Sequence, residues 1–381
     1  MEFKIQDTKW SFQLTPFRLV LLTLTAIMGV LVIYRLIVGL GPTSNMNDSW
    51  PWALWKLPAL AWVALTAGGY TTALLVYVLN VKKFKPLVRG AMVVSLLGYI
   101  FSLVSLGVDV GLWYQFWTPY IFWGASSILF DVFWCISLYA TVQILKFGEV
   151  ATEKVGKPLH RYFVQIAPVL VVIGIVLPTL HQSALGALYV MTPYKLYPLW
   201  WTEYIGLFFL MTSFFLGPGM VIIENYVRHK VYNRPFRTDL LHSFARIGAF
   251  VMIIYLALKA YDMTRLDAWQ YLFASTLETT FFLIEYGLCV IVPLIIIFTP
   301  WGKTKAGLLT FGILVTFGVF LTRVNVVIIG MMDYAGFYFP HPIEWLVFIG
   351  MISLWILTYF FIVENFNIID YPEKEKPRMI V

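Results

Sequence analysis

Residues 87–108 read LVRGAMVVSLLGYIFSLVSLGV and follow the basic cluster KKFK at 82–85. Beyond Arg89 the run carries no charged side chain until Asp109. As a helix rising 1.5 Å per residue it is about 33 Å long, enough to cross a hydrocarbon core roughly 30 Å thick. Hydrocarbon supplies no hydrogen bonds, so a segment inside it must satisfy its backbone internally, which an α-helix does.

Similar runs recur along the chain near 16–39, 54–80, 120–145, 162–181, 200–226, 240–261, 270–298, 306–322 and 344–363, making ten with 87–108. None shows the short alternating pattern of a transmembrane β-barrel. The first is too long for a signal-peptide core and is followed by no small-residue cleavage site, so it reads as a retained anchor. Hydrophobic residues make up 60% of the sequence and charged ones 12%, about half the charge of a typical soluble domain. The expectation is an all-α integral membrane protein of about ten helices, with residues 1–381 as one polytopic domain and no soluble catalytic domain.

Loop charge orients it. Lys4, Lys9 and Arg18 precede the first run, and Lys82, Lys83, Lys85 and Arg89 follow the second. Lys146, Lys154, Lys157 and Arg161, then Arg228, Lys230, Arg234 and Arg237, then Lys303 and Lys305, and finally Lys374, Lys376 and Arg378 fall on the same side. The alternate loops carry Lys195, Arg265 and Arg323. Basic residues concentrate in cytoplasmic loops, which puts both termini in the cytoplasm. The net charge of +7 then faces anionic membrane lipid rather than nucleic acid. The opposite face is aromatic, with Trp50, Trp52, Trp55, Trp113, Tyr114, Trp117, Tyr120, Tyr189, Tyr194, Tyr197, Trp200 and Trp201. An interfacial belt, a ligand cleft or a docking surface would each use such side chains.

The two cysteines, Cys135 and Cys289, fall inside apolar runs without cluster-ligating spacing, so the chain holds no iron–sulfur cluster of its own. Of the five histidines only His181 and His341 fall near the aromatic face, leaving little scope for a bis-histidine haem. No phosphate-binding loop is present.

Ionisable groups within membrane helices mark pathways or paired contacts. His181 lies in PTLHQSALG, residues 178–186, at the end of the fifth run. Pro178 removes a helical donor, so the backbone is expected to open there. His181, Gln182 and Ser183 would then offer what a quinone headgroup needs, donors for two carbonyl oxygens and a titratable group; a histidine capping a helix end is the other reading. Asp131 falls about 11 residues into the fourth run, roughly 16 Å deep, as either a proton relay or a protonated contact between helices. Tyr99 offers a hydroxyl at mid-depth, and Asp109 ends its helix. Glu224 near the inner end of the sixth run is either a proton inlet or an ion pair with Arg228. Arg246, Lys259, Glu278 and Glu285 balance as structural ion pairs between the seventh and eighth runs. Asn45, Asn47 and Asp48 before Trp50-Pro51-Trp52 read as a surface turn.

Taken in order, Gly39-Leu40-Gly41, Ser44-Asn45, Pro51-Trp52-Ala53-Leu54-Trp55, Pro86-Leu87-Val88-Arg89, Ser95-Leu96-Leu97-Gly98-Tyr99, Asp109-Val110-Gly111, Ser127-Ile128-Leu129-Phe130-Asp131, the 178–186 stretch and Lys195-Leu196-Tyr197-Pro198-Leu199-Trp200 resemble the NrfD/PsrC (polysulfide reductase membrane subunit) family. Within it the chain is most similar to HybB-type subunits of nickel–iron hydrogenases. Asp131 stands where those subunits usually carry Glu, Ala53 where they carry Gly, and Tyr197 where His is common.

The resemblance implies two four-helix bundles plus two extra helices in the cytoplasmic (inner) membrane. It implies a menaquinone or ubiquinone site towards the periplasmic side, with His181, Asn45, Gln182, Trp52 and Asp109 around the ring. Protons would pass by His181, Asp131, Tyr99 and Glu224, and turnover could translocate protons. Electrons would be exchanged with a periplasmic ferredoxin-like iron–sulfur subunit serving a large catalytic subunit, a NiFe hydrogenase or another reductase. Multihaem-cytochrome and sulfur-metabolism complexes use related subunits. A secondary transporter with the buried acids as ion sites is the reading from another class.

Overall fold

The structure, a computed structural model, describes residues 12–52, 54–124, 126–153 and 157–368. Ala53 and the basic residues Lys4, Lys9, Lys154, Lys374, Lys376 and Arg378 lie outside them. Among the described residues every regular element is helical, and ten helices are long and apolar enough to cross a membrane. They are α1 (Pro16–Val38), α2 (Lys56–Val78), α3 (Lys82–Asp109), α4 (Ile128–Thr152) and α5 (Lys157–Ala187). They continue as α6 (Ile205–Tyr232), α7 (Thr238–Arg265), α8 (Leu277–Phe298), α9 (Lys305–Val327) and α10 (Pro342–Asn365).

Side-chain chemistry sets the boundaries. Thr15 caps α1 ahead of Pro16, Ser127 caps α4, Thr276 caps α8 and Thr304 caps α9, each hydroxyl accepting a backbone N–H of the first turn. Helices α2 to α5 form a closed ring of neighbours, and α6 to α9 form another. The rings share a seam where α2, α6 and α9 meet, while α1 pairs with α10, which leans on α3. Glycine closes the seam near α5: a Cβ on Gly186 would lie 2.7 Å from the Gly206 Cα of α6. Small residues permit such backbone approach in membrane bundles.

Several helix limits differ from the apolar runs, with consequences for the polar residues. Thr118–Ile121 forms a separate short turn, and α4 starts at Ile128, behind its cap Ser127, eight residues later than the run. Asp131 is therefore an exposed residue in the first turn of α4, not a carboxylate at mid-depth. Its side chain accepts from Cys135 Sγ (3.7 Å). Helix α5 does not open at Pro178. It runs unbroken to Ala187, so His181 lies inside the helix and caps nothing. Arg323 is not in a loop: α9 continues past the apolar run and buries it completely. Its guanidinium lies over the Phe209 ring (3.6 Å) and donates to Phe209 O (3.3 Å) and Thr212 Oγ1 (3.2 Å).

The four charges expected to pair between α7 and α8 do not, among the described residues. Arg246 is exposed, and Lys259 turns to Leu199 O (2.8 Å) and Asp262 (3.9 Å). Glu285 sits on a π-helical stretch, Ile284–Ile291. It accepts from Trp200 Nε1 (2.9 Å), Thr322 Oγ1 (2.8 Å) and Asn325 Nδ2 (2.6 Å), so its bonds run to α9 instead.

On the aromatic face one buried carboxylate gathers three segments. Glu344, in the first turn of α10, accepts from the backbone N–H of Leu54 (2.6 Å), Asn45 (3.1 Å) and His341 (3.0 Å), and from the Tyr338 hydroxyl (3.0 Å). Burial and the adjacent carboxylate push the Tyr338 hydroxyl above its usual range, so it stays a donor. Replacing Glu344 with Ala strands these donors, at a cost of about 3 kcal/mol. Thermal unfolding in detergent is expected to show a larger loss for Glu344→Ala than for Ser353→Ala, whose hydroxyl only back-bonds to Ile349 O (2.9 Å); equal midpoints would refute this role.

Candidate functional site at the junction of helices 2 to 5

Three rings stack in sequence within the first ring of helices. The imidazole of His181 on α5 meets Tyr139 of α4 edge-on, centroids 5.4 Å apart. Tyr139 meets Tyr99 of α3 at 5.0 Å. All three are at most 1% exposed. Neither nitrogen of His181 has a hydrogen-bond partner; the Tyr99 hydroxyl has Thr66 beside it and the Tyr139 hydroxyl the His181 backbone, neither at full hydrogen-bond geometry. The next residue, Gln182, donates from Nε2 to Val63 O of α2 (2.7 Å) and leaves Oε1 without a partner.

Each unmet buried polar group costs about 1–3 kcal/mol. Elsewhere in these helices, buried groups such as Glu285 and Glu344 are saturated with bonds. Around the His181 group apolar walls prevail: Leu57, Leu60, Val63, Ile136 and Leu185 belong to the same buried cluster. The arrangement thus offers a donor and an acceptor on one imidazole, two hydroxyls and an amide oxygen, set among apolar side chains. It suits a flat ligand with polar atoms at opposite ends.

Depth follows from helix geometry. His181 lies six residues before the end of α5, about 9 Å at 1.5 Å per residue. Tyr139 lies 11 residues into α4, about 16 Å. Tyr139 thus occupies the depth expected of Asp131.

Of the residues singled out in the sequence, the structure brings His181, Gln182 and Tyr99 together. Trp52 stands nearby as a wall, its ring against Tyr189 (5.7 Å) and its Nε1 donating to Val327 O (3.0 Å). Asp109 forms an ion pair with Lys56 (3.1 Å) where α3 ends and α2 begins. Asn45 is exposed, and its amide donates to Phe339 O (2.8 Å) ahead of α10. Asp131 is likewise apart, at the exposed start of its helix.

Glu224 belongs to a different cluster. It is buried in α6, receives Arg228 (2.7 Å), Tyr359 Oη (3.0 Å) and Asn225 Nδ2 (3.2 Å), and packs against Gly90 of α3. Close by in α1 and α10, Arg18 pairs with Glu364, which also accepts from Tyr232 Oη (3.1 Å).

Sequence reasoning missed Tyr139, Gln143 and Arg323. The signal for the first two was their four-residue spacing, which puts both on one face of α4. Gln143 is buried beneath Tyr139 and donates to Ser95 Oγ of α3 (3.2 Å), with its Oε1 unpartnered.

If the imidazole makes no bond in the ligand-free protein, His181→Leu removes two unmet polar atoms without breaking a contact. Its unfolding midpoint in detergent is expected at or above that of the parent, while Gln182→Ala, which loses the bond to Val63, falls below it by about 1 kcal/mol. A large drop for His181→Leu would show that the imidazole is bonded.

Residues 42–335 match the family described as polysulphide reductase, NrfD. The chain is 31% identical over 363 residues to a protein of Nitratidesulfovibrio vulgaris, covering 91% of this chain and 93% of that one. It is 29% identical to the probable Ni/Fe-hydrogenase 2 b-type cytochrome subunit of Escherichia coli, covering 88% of each. It is 26% identical to the menaquinone reductase integral membrane subunit of N. vulgaris, covering 64% of this chain and 60% of that one.

Proposed function

Because the chain belongs to the NrfD polysulphide reductase family, whose members include membrane subunits of quinone oxidoreductase complexes, we propose that the His181 group is a quinone site. The chain is then the quinone-reactive subunit of a multi-subunit respiratory complex. The observation that carries this reading is the set of unmet buried polar atoms on His181, Tyr139, Tyr99 and Gln182, inside apolar walls. A quinone ring matches it in polarity and hydrogen-bonding pattern.

In this reading the reaction is Q + 2e⁻ + 2H⁺ ⇌ QH₂, with electrons exchanged with a ferredoxin-like iron–sulfur subunit bound on the aromatic face. That subunit would serve a large catalytic subunit, with a hydrogenase favoured by the likeness to the E. coli protein. His181 holds one quinone oxygen and passes a proton to it. The Tyr99 and Tyr139 hydroxyls stand next in line, and Gln182 keeps α5 in register with α2 through Val63. The charge-rich loops face the cytoplasm and the aromatic face the periplasm, which puts the site about 9 Å inside the periplasmic helix ends. The two rings of helices correspond to two four-helix bundles, with α1 and α10 as the extra pair.

A bis-histidine haem does not fit at His181, which faces Tyr139 rather than a second histidine. His341 accepts the Ile343 N–H (3.3 Å) as cap of α10.

The complex should be purified from membranes with its partners and its quinone measured by mass spectrometry. His181→Ala is expected to lose bound quinone and quinone-linked turnover by about a hundredfold, with subunit composition unchanged. Asp131→Asn, at an exposed position, is expected to keep turnover within about twofold. Full activity in His181→Ala would remove the site from this position.

A further inference from the structure

A proton reaching His181 from the basic face must cross most of the membrane, and the structure holds a second set of polar groups on that route. Helices α2 to α5 enclose a cavity of about 40 Å³ lined by Gly69, Tyr77, Lys146, Glu149 and apolar side chains. That is room for at least one water molecule among polar partners. Lys146 and Glu149 come from α4 and continue the face that carries Gln143 and Tyr139, at spacings of three and four residues.

Two details shape this cavity. The Lys146 amine rests against Gly174 of α5, where a Cβ would lie 3.5 Å from Nζ. Gly174 is four residues before Pro178, so its carbonyl has no i+4 N–H to bond. Across the cavity Gly69 admits Ser95, since a Cβ on Gly69 would fall 2.4 Å from the Ser95 Cβ. Above the cavity the groups rise in pairs. Gln143 and Ser95 are joined at 3.2 Å, and one turn higher on the same two helices stand Tyr139 and Tyr99, whose rings meet. His181 follows.

We infer that the Lys146–Glu149 cavity is the proton inlet of the His181 site, with the Ser95 hydroxyl, oriented by the Gln143 amide, as the relay between them. The inference rests on the quinone reading and adds its proton supply. Two electrons come from the iron–sulfur partner, and two protons pass from water at the basic face through Glu149 and Lys146. Each donor is then reprotonated from that water. Glu224, the other candidate, has both carboxylate oxygens engaged by Arg228, Asn225 and Tyr359.

The test uses the whole complex reconstituted in liposomes. The Lys146→Met/Glu149→Gln pair is expected to slow quinone turnover about tenfold or more. Binding of the quinone analogue 2-heptyl-4-hydroxyquinoline N-oxide should stay within about twofold of the parent, and millimolar azide, a small proton carrier, should restore much of the rate. A merely structural defect would not respond to azide. Independently of quinone, Lys146→Cys in a Cys135→Ser/Cys289→Ser background should react with a membrane-impermeant methanethiosulfonate from the basic face. Ile136→Cys, deeper in the apolar core, should not.

An unlabelled Cys at 146, or unchanged turnover in the double variant, overturns the inlet while analogue binding shows the site intact. A labelled Cys at 146 in a complex whose parent binds no analogue overturns the quinone reading, and with it the purpose assigned to the inlet.

Discussion

Hydrocarbon makes no hydrogen bonds, and that one property governs the arrangement of every polar group in this chain. Backbone amides close on themselves in ten helices. Three buried carboxylates find several partners each: Glu344 four donors, Glu285 three, and Glu224 has Arg228, Tyr359 and Asn225. Some buried polar atoms go without a partner, among them atoms of Arg35, Trp62 and Asp262, and the group around His181 gathers several such atoms in one place: both imidazole nitrogens, two hydroxyls and one amide oxygen.

Arg323 follows the same economy by another route. No carboxylate lies within 4 Å of it among the described residues; the Phe209 ring, a hydroxyl and a backbone carbonyl take its place. A ring face attracts a cation through its quadrupole, and more so when desolvated. Removing Arg323 from the loops also sharpens the asymmetry of charge between the two faces.

Ten helices were legible in the sequence because each needs about 20 apolar residues, a signal independent of partners. His181, Gln182 and Tyr99 were legible because polar side chains are rare within such runs. What a side chain faces was less so. Helix α2 is buried on nearly every side, and a helix surrounded by protein has no polar stripe to reveal its orientation. Asp131 was misplaced because the run from 120 hides a break before Ser127. Pro178 suggested an opening, but α5 accommodates it as a continuous helix in which the Gly174 carbonyl loses its i+4 donor beside Lys146.

The vertical spread of α4 has an electrical consequence. Lys146 and Tyr139 are seven residues apart, about 10 Å along the helix and a third of the hydrocarbon thickness. A proton climbing that distance does work against the transmembrane voltage, about 0.8 kcal/mol for every 100 mV if the field falls evenly across the slab. Quinone reduction fed through this helix would charge the membrane even with every electron staying on the outer side. The height of the histidine above the lysine, rather than any moving part, would then determine how much of each turnover is stored as potential.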